Sequence, residues 1–171
     1  MNDFLKIIEE RSSIRKYTDQ QLTAEEVQTL IEAGLKAPTA TNRREIHISV
    51  VSKDNPVAMM IQNDLDPKAA VNFYYDAPLT FYLSAEDSFK WSSIDAGIAV
   101  ENIHLAAKAL DLGSVILGCM EKVLNGDKKE EYRKLLAIPE GYSFRVAIAV
   151  GHAATEKVPH QIDPAKDVTI L

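Results

Sequence analysis

A chain of 171 residues is about one domain long, and 46% apolar with 26% charged residues is the ordinary composition of a chain with a real core. A net charge of −6 speaks against nucleic acid or an anionic membrane as main partner and requires any anionic ligand to be met by a local basic cluster. Cys119 is the one cysteine, no apolar run has signal-peptide length, and none nears the roughly 20 residues of a membrane span, so a cytoplasmic domain is expected.

Phe4, Ile7 and Ile8 fall on one face of a short first helix ending near Arg11. There the chain reads Arg11-Ser12-Ser13-Ile14-Arg15-Lys16-Tyr17, two arginines around two hydroxyls. The guanidinium fork matches phosphate oxygens and serine adds a neutral donor, so the set can hold a phosphorylated cofactor without a glycine-rich loop. A solvated helix end, favoured by the macrodipole, accounts for the same residues about equally well. A second helix opens on the capping box of Thr23 and Glu26 and carries Val27, Leu30, Ile31, Gly34 and Leu35 at helical spacing. Pro38 closes it and begins the turn Pro38-Thr39-Ala40-Thr41-Asn42. Residues 46–52 alternate as a strand, Asn55-Pro56 caps a third helix, and residues 79–84 read as a buried strand after Asp76-Ala77-Pro78.

Residues 92–112 form the longest helical candidate, and its apolar residues surround nearly the whole circumference. A helix apolar on all sides is buried on all sides, and a chain this short has little to wrap it, so a second copy of the chain is the natural cover. A short strand at 114–117, a helix from near Asp127 to Leu136, the turn Pro139-Glu140-Gly141 and a strand at 144–150 follow. The tail, 155–171, holds Pro159 and Pro164 and ends in Val168-Thr169-Ile170-Leu171. It reads either as an arm that crosses to another surface and adds a strand there, or as a frayed terminus. Intermingled helices and strands without strict alternation give one α+β domain around a small central sheet.

Other chemistry-bearing residues have plainer readings. Cys119 beside Gly118 could be a redox thiol, but a lone cysteine among apolar neighbours is more often an inert core residue. His47, His104, His152 and His160 show no metal spacing, and His104 reads as a hydrogen-bonded core or interface residue. Trp91 and Phe73-Tyr74-Tyr75 could line a ring pocket but fit core positions better. No Gly-x-Gly-x-x-Gly or Walker pattern points to a separate nucleotide-binding domain.

The Arg11–Arg15 cluster, the Pro-Thr-x-Thr-Asn turn, Asp95-Ala96-Gly97-Ile98 running on to Leu105-Ala106-Ala107, Leu110-Asp111-Leu112-Gly113-Ser114, Ile138-Pro139-Glu140-Gly141 and Ala147-Ile148-Ala149-Val150-Gly151 occur in one order over most of the chain. This ordered set resembles the FMN-dependent nitroreductase family. The resemblance implies a small mixed or antiparallel sheet flanked by helices, a long buried central helix, and an intertwined homodimer with two FMN sites at the interface. It implies that Arg11 holds the FMN phosphate, with Ser12 and Ser13 on the phosphate or ribityl chain and Arg15 near the pyrimidine edge of the ring. Pro38, Thr39 and Asn42 would come from the other subunit. Ile116, Leu117 and Gly118 would pass beside the ring with backbone N–H groups facing N5, and Asn72 is a further candidate for the pyrimidine edge. Where members carry a basic tail residue that reaches the phosphate, only Lys157 or His160 could serve. Many members follow the Asn with Gln-Pro-Trp, whereas Arg43-Arg44-Glu45 makes this rim charged.

The implied activity is FMN-dependent NAD(P)H oxidation by a ping-pong route, with NADH or NADPH as transient donor and a nitroaromatic, quinone or similar small molecule as acceptor. No side-chain acid or base is required and no metal is expected, because the flavin carries the redox chemistry. A flavin-binding protein with little turnover is the alternative.

Overall fold

The computed structural model describes residues 3–68 and 72–171. The elements run α1 (Asp3–Glu10), α2 (Ala24–Leu35), β1 (Ile46–Ser52), α3 (Pro56–Leu65), β2 (Leu79–Glu86), α4 (Ser92–Ala109), β3 (Gly113–Leu117), α5 (Glu121–Leu124), α6 (Lys129–Leu135), β4 (Tyr142–Gly151) and α7 (Pro164–Asp167). The four strands form one antiparallel sheet in the order β1-β2-β4-β3. The α+β expectation holds, and the mixed-or-antiparallel alternative resolves to antiparallel.

Side-chain alternation along the two central strands builds a core on each face of the sheet. Phe81, Leu83, Ile148 and Val150 face α2 and α4, where they meet Leu30, Val100 and Ile103. Tyr82, Phe144, Ala147 and Ala149 face the other way, onto Ile61, Met120, Leu124 and Tyr132. Because both faces are covered, the central strands read as near-continuous apolar runs rather than as alternation. Gly34 lets α2 cross α4 closely: a Cβ there would lie 2.9 Å from Ile103 Cδ1 and from Ile48 Cδ1.

The Thr23–Glu26 capping box and the Asn55 cap with Pro56 in the first turn are both formed. α4 stops three residues before the expected end. Asp111 turns left-handed at φ 57°, and the Leu112 N–H returns to the Ala107 carbonyl at 2.8 Å. That is the closing geometry a glycine usually provides, and nothing in an Asp announces it. The short α5 is a single turn with no periodicity to read. α4 buries Asp95, Ala96, Ala99, Ile103, His104 and Ala107 within one chain and leaves Ile94 and Ile98 exposed. Beyond β4 the tail is exposed, makes the single turn α7, and leaves Val168 to Leu171 outside the sheet.

Candidate active site

The basic segment after α1 is threaded between the β3 edge and the chain leaving β4. Ser13 bridges Ser114 in parallel, and the Ile14 N–H donates to the Ser114 carbonyl at 2.9 Å. On the other side Tyr17 bridges Ala153, Thr18 N–H donates to His152 and Ala154 N–H donates to Lys16. Gly113 makes the approach sterically possible, since a Cβ there would sit 2.8 Å from Ile14 Cγ2. An extended, doubly pinned segment leaves Arg11, at its start, on the side of α4.

There Arg11 Nη1 donates to His104 Nε2 at 2.9 Å, and Arg11 Nε lies 3.6 Å from a carboxylate oxygen of Glu101. His104 Nδ1 in turn lies 2.5 Å from Ser114 Oγ. Burial, with the Arg11 charge, pushes the imidazole down to about 4, while burial pushes the Glu101 carboxyl up against the opposing effect of Arg11. A cavity of about 300 Å³ opens beside this group, lined by Arg11, Ser12, Lys108, Ser114 and Lys157, with Glu10 paired to Lys108 at 3.1 Å. Ser12 Oγ donates to the Lys157 carbonyl at 3.3 Å and so ties the tail to the cavity wall. Arg11 also lines an adjoining space of about 980 Å³ with Leu5, Ile8, Glu101, His160 and Ile162. A guanidinium, an ammonium and hydroxyls around one opening are the donor set a phosphate needs, so the residues present fit the phosphate end of a flavin nucleotide.

Farther along the same edge, Ile116 and Leu117 complete β3 beyond the Ser114 bridge and Gly118 follows it; Leu117 is buried, while Ile116 and Gly118 are exposed. Arg15 is exposed and lies 5.8 Å from the centre of the Tyr75 ring. Asn72 accepts from Tyr74 N–H and donates to Asp76, which shapes the loop that carries Tyr75. Thus Arg15 and the Asn72 loop are neighbours, as are Arg11, Ser12 and Lys157, with His160 in the adjoining space.

Pro38, Thr39 and Asn42 are not brought to this place within the chain. Their turn sits on the N-terminal end of α4, where Ala40 N–H donates to Asp95 at 3.0 Å. Asp95 precedes His104 by nine residues, about 13 Å of helix. The turn is held in an unusual conformation: Thr41, Asn42 and Arg44 all have φ between 55° and 57°. Arg44 N–H donates to Thr39 Oγ1 and Arg44 Nε donates to Asn42 Oδ1.

Three side chains lie elsewhere than the sequence suggests. Glu45 is buried at 3% exposure instead of adding to a charged rim, because left-handed Arg44 turns the chain inward just before β1. Arg43 is on the rim but spans Glu86 with two hydrogen bonds of 2.8 Å and stacks over Phe89. Cys119 is exposed rather than in the core, where Leu117 and Met120 point instead, and Trp91 is exposed beneath the Lys90 ammonium. His104 is a buried, hydrogen-bonded residue as expected, but its tie to Arg11 is new. Glu101, His104 and Lys108 share one face of α4 by their spacing, a signal that was present in the sequence. Among the described residues no group of three or more His, Cys, Asp or Glu could hold a metal.

A relative from Archaeoglobus fulgidus, named provisionally as an NADH dehydrogenase/NAD(P)H nitroreductase, is 30% identical over 167 residues, covering 95% of this chain and 92% of its own. FMN reductase [NAD(P)H] of Bacillus subtilis is 28% identical over 174 residues, covering 90% of this chain and 67% of its own. The crystal structure of a nitroreductase with bound FMN from Desulfitobacterium hafniense superposes with a TM-score of 0.89 at 27% identity, over 100% of both chains. The model of the Nitroreductase family matches residues 8–152, from the end of α1 through the last strand, and the chain belongs to that family.

Proposed function

We propose that the protein is an FMN-dependent NAD(P)H oxidoreductase of nitroreductase type that works as a homodimer. The observation that carries this reading is the convergence of Arg11, Ser12 and Lys157 on one cavity beside β3. The FMN reductase and the FMN-bound nitroreductase among its relatives support it. When bound, FMN supplies the redox chemistry, taking electrons from a nicotinamide donor and giving them to a small-molecule acceptor such as a nitroaromatic or quinone.

The chain's own work is binding and electrostatic bias. Arg11 holds the phosphate with its remaining N–H groups, and Lys157 or His160 adds a donor from the tail. Ser12 and Ser13 hold the phosphate or the ribityl chain. Arg15, with Asn72 close by, places a fixed cation at the pyrimidine edge and so favours negative charge there. Ile116, Leu117 and Gly118 offer backbone N–H groups along the ring. Pro38, Thr39 and Asn42 serve the site of a second copy, which agrees with their position at the far end of α4. No side-chain acid or base is assigned. With one cysteine, and that one exposed, a reducing compartment such as the cytoplasm suits the chain. Among the described residues no helix is long and apolar enough to cross a membrane.

The test is a visible spectrum after incubation with FMN and desalting, followed by anaerobic NADPH or NADH and then a quinone. Retained flavin that bleaches and recovers is the expected result. A colourless protein overturns the cofactor reading. Retained flavin that no donor bleaches makes the protein a flavin carrier instead of an enzyme.

A further inference from the structure

His104 is buried on α4, touches the guanidinium assigned to the phosphate, and has no part in the function just described. Arginine has no acceptor, so the 2.9 Å contact requires His104 Nε2 to be the unprotonated nitrogen. The ring proton is then on Nδ1 and is donated to Ser114 Oγ at 2.5 Å. Ser114 is itself fixed by the strand: it pairs with Val150 of β4, bridges Ser13 and accepts the Ile14 N–H. A rigid path thus runs from the sheet through Ser114 and His104 to Arg11. The second restraint on Arg11, Glu101, is a longer contact from a more exposed side chain.

We propose that His104 is a positioning residue for the cofactor phosphate, holding Arg11 as a hydrogen-bond acceptor in one fixed tautomer, so that FMN is bound tightly only while the imidazole is neutral. This rests on the reading of Arg11 as the phosphate ligand. A neutral acceptor steers a guanidinium without spending its charge, as a carboxylate in the same place would, and leaves that charge for the phosphate. A proton on Nε2 would replace the acceptor by a donor that faces another donor. The charged groups around the ring are Arg11 and Glu10 from the end of α1, Glu101 and Lys108 from α4, Asp111 from the turn before β3, and Glu156 and Lys157 from the tail. Arg11 is the charge that lowers the imidazole, adding to burial.

The experiment compares FMN with riboflavin, which has no phosphate, on holoprotein re-equilibrated with either flavin, with free flavin read by fluorescence. Wild type, His104→Leu, His104→Gln and Arg11→Ala are measured at pH 7.5. His104→Leu is expected to weaken FMN about ten-fold, the scale of one charged hydrogen bond, with riboflavin unchanged. His104→Gln, whose amide oxygen can accept from Arg11, is expected to restore most of that loss. From pH 7.5 to pH 4, where about half of the imidazole is protonated, the FMN-to-riboflavin preference should fall about two-fold further in wild type than in His104→Gln. Protonation of the phosphate itself is common to both and cancels.

Equal losses for both flavins, or none for FMN, overturn the proposal. If Arg11→Ala abolishes the preference for FMN while His104→Leu keeps it, the positioning role fails and the phosphate site stands. If Arg11→Ala leaves the preference intact, the phosphate site itself is misplaced. Should His104→Leu not fold, Ser114→Ala frees the tautomer and is expected to lower the preference in the same direction. An unchanged preference in that variant overturns the proposal equally.

Discussion

Both carboxylate oxygens of Glu45 lie out of solvent without a hydrogen-bond donor, beside the buried Asp95. Burial, and then the neighbouring Asp95, push the Glu45 carboxyl above the usual range, because only the protonated form can donate to Asp95. A carboxyl raised in the folded state stabilises the fold fully below the ordinary carboxylate range, and that contribution is lost as pH rises through the folded value. Glu45→Gln supplies a permanent amide donor. It is expected to leave stability little changed at pH 4 and to raise it by about 1–3 kcal/mol at pH 8, read from urea midpoints. A variant less stable than wild type at pH 8 would show that ionised Glu45 has a stabilising partner. His104 works in the opposite sense: its neutral form is the one that fits, so its contribution is complete above about pH 6.5 and is lost toward pH 4. Neither behaviour was legible from residue type. Glu45 precedes the alternating run that begins at Ile46, and a charge outside a periodic segment carries no sign of which way it points.

Among the elements, those with a local chemical signature were read correctly: the capping box of α2, the Asn-Pro start of α3 and the span of β1. What escaped were features set by left-handed residues, such as the early end of α4 at Asp111 and the turn that buries Glu45. Such conformations follow from tertiary constraint when the residue is not glycine. Thr41 is the clearest case, since its branched Cβ opposes φ 57°. The turn is kept there by Ala40 on Asp95 and by Arg44 on Thr39 and Asn42. Strain of this kind is commonly stored where a segment must present itself to a ligand or partner. Thr41→Gly removes the clash at some cost in chain entropy, and a net gain of roughly 1 kcal/mol is expected by thermal or urea unfolding. With Thr39 and Asn42 no longer pre-set, FMN retention should fall at the same time. A gain in stability with unchanged flavin binding would separate this turn from the cofactor.

At the scale of the molecule, sequence order carried the parts of the proposed site, but only the fold shows that these residues divide between the two ends of α4. Arg11, Ser12 and Lys157 gather near its C-terminal half, while Thr39 and Asn42 stand at its N-terminal end. The single chain also leaves Phe4, Leu5 and Ile8 of α1 and Ile94 and Ile98 of α4 exposed. So many large apolar side chains on two contacting helices exceed what scattered surface residues explain, which supports the homodimer proposed above. In that homodimer, a second copy would cover them and bring its Thr39–Asn42 turn to the ribityl chain and ring edge of the first copy's FMN, which would join assembly to cofactor binding. Ile98→Glu tests both together, because it places a charge on the apolar face of α4 without touching the core of its own chain. Wild type is expected to sediment as a dimer at micromolar concentration. The variant should sediment as a monomer, with unchanged helical circular dichroism and with most of its FMN lost on desalting. A monomer that keeps its FMN would mean that one chain holds the whole site. The part assigned to Thr39 and Asn42 would then have to be sought within the protomer.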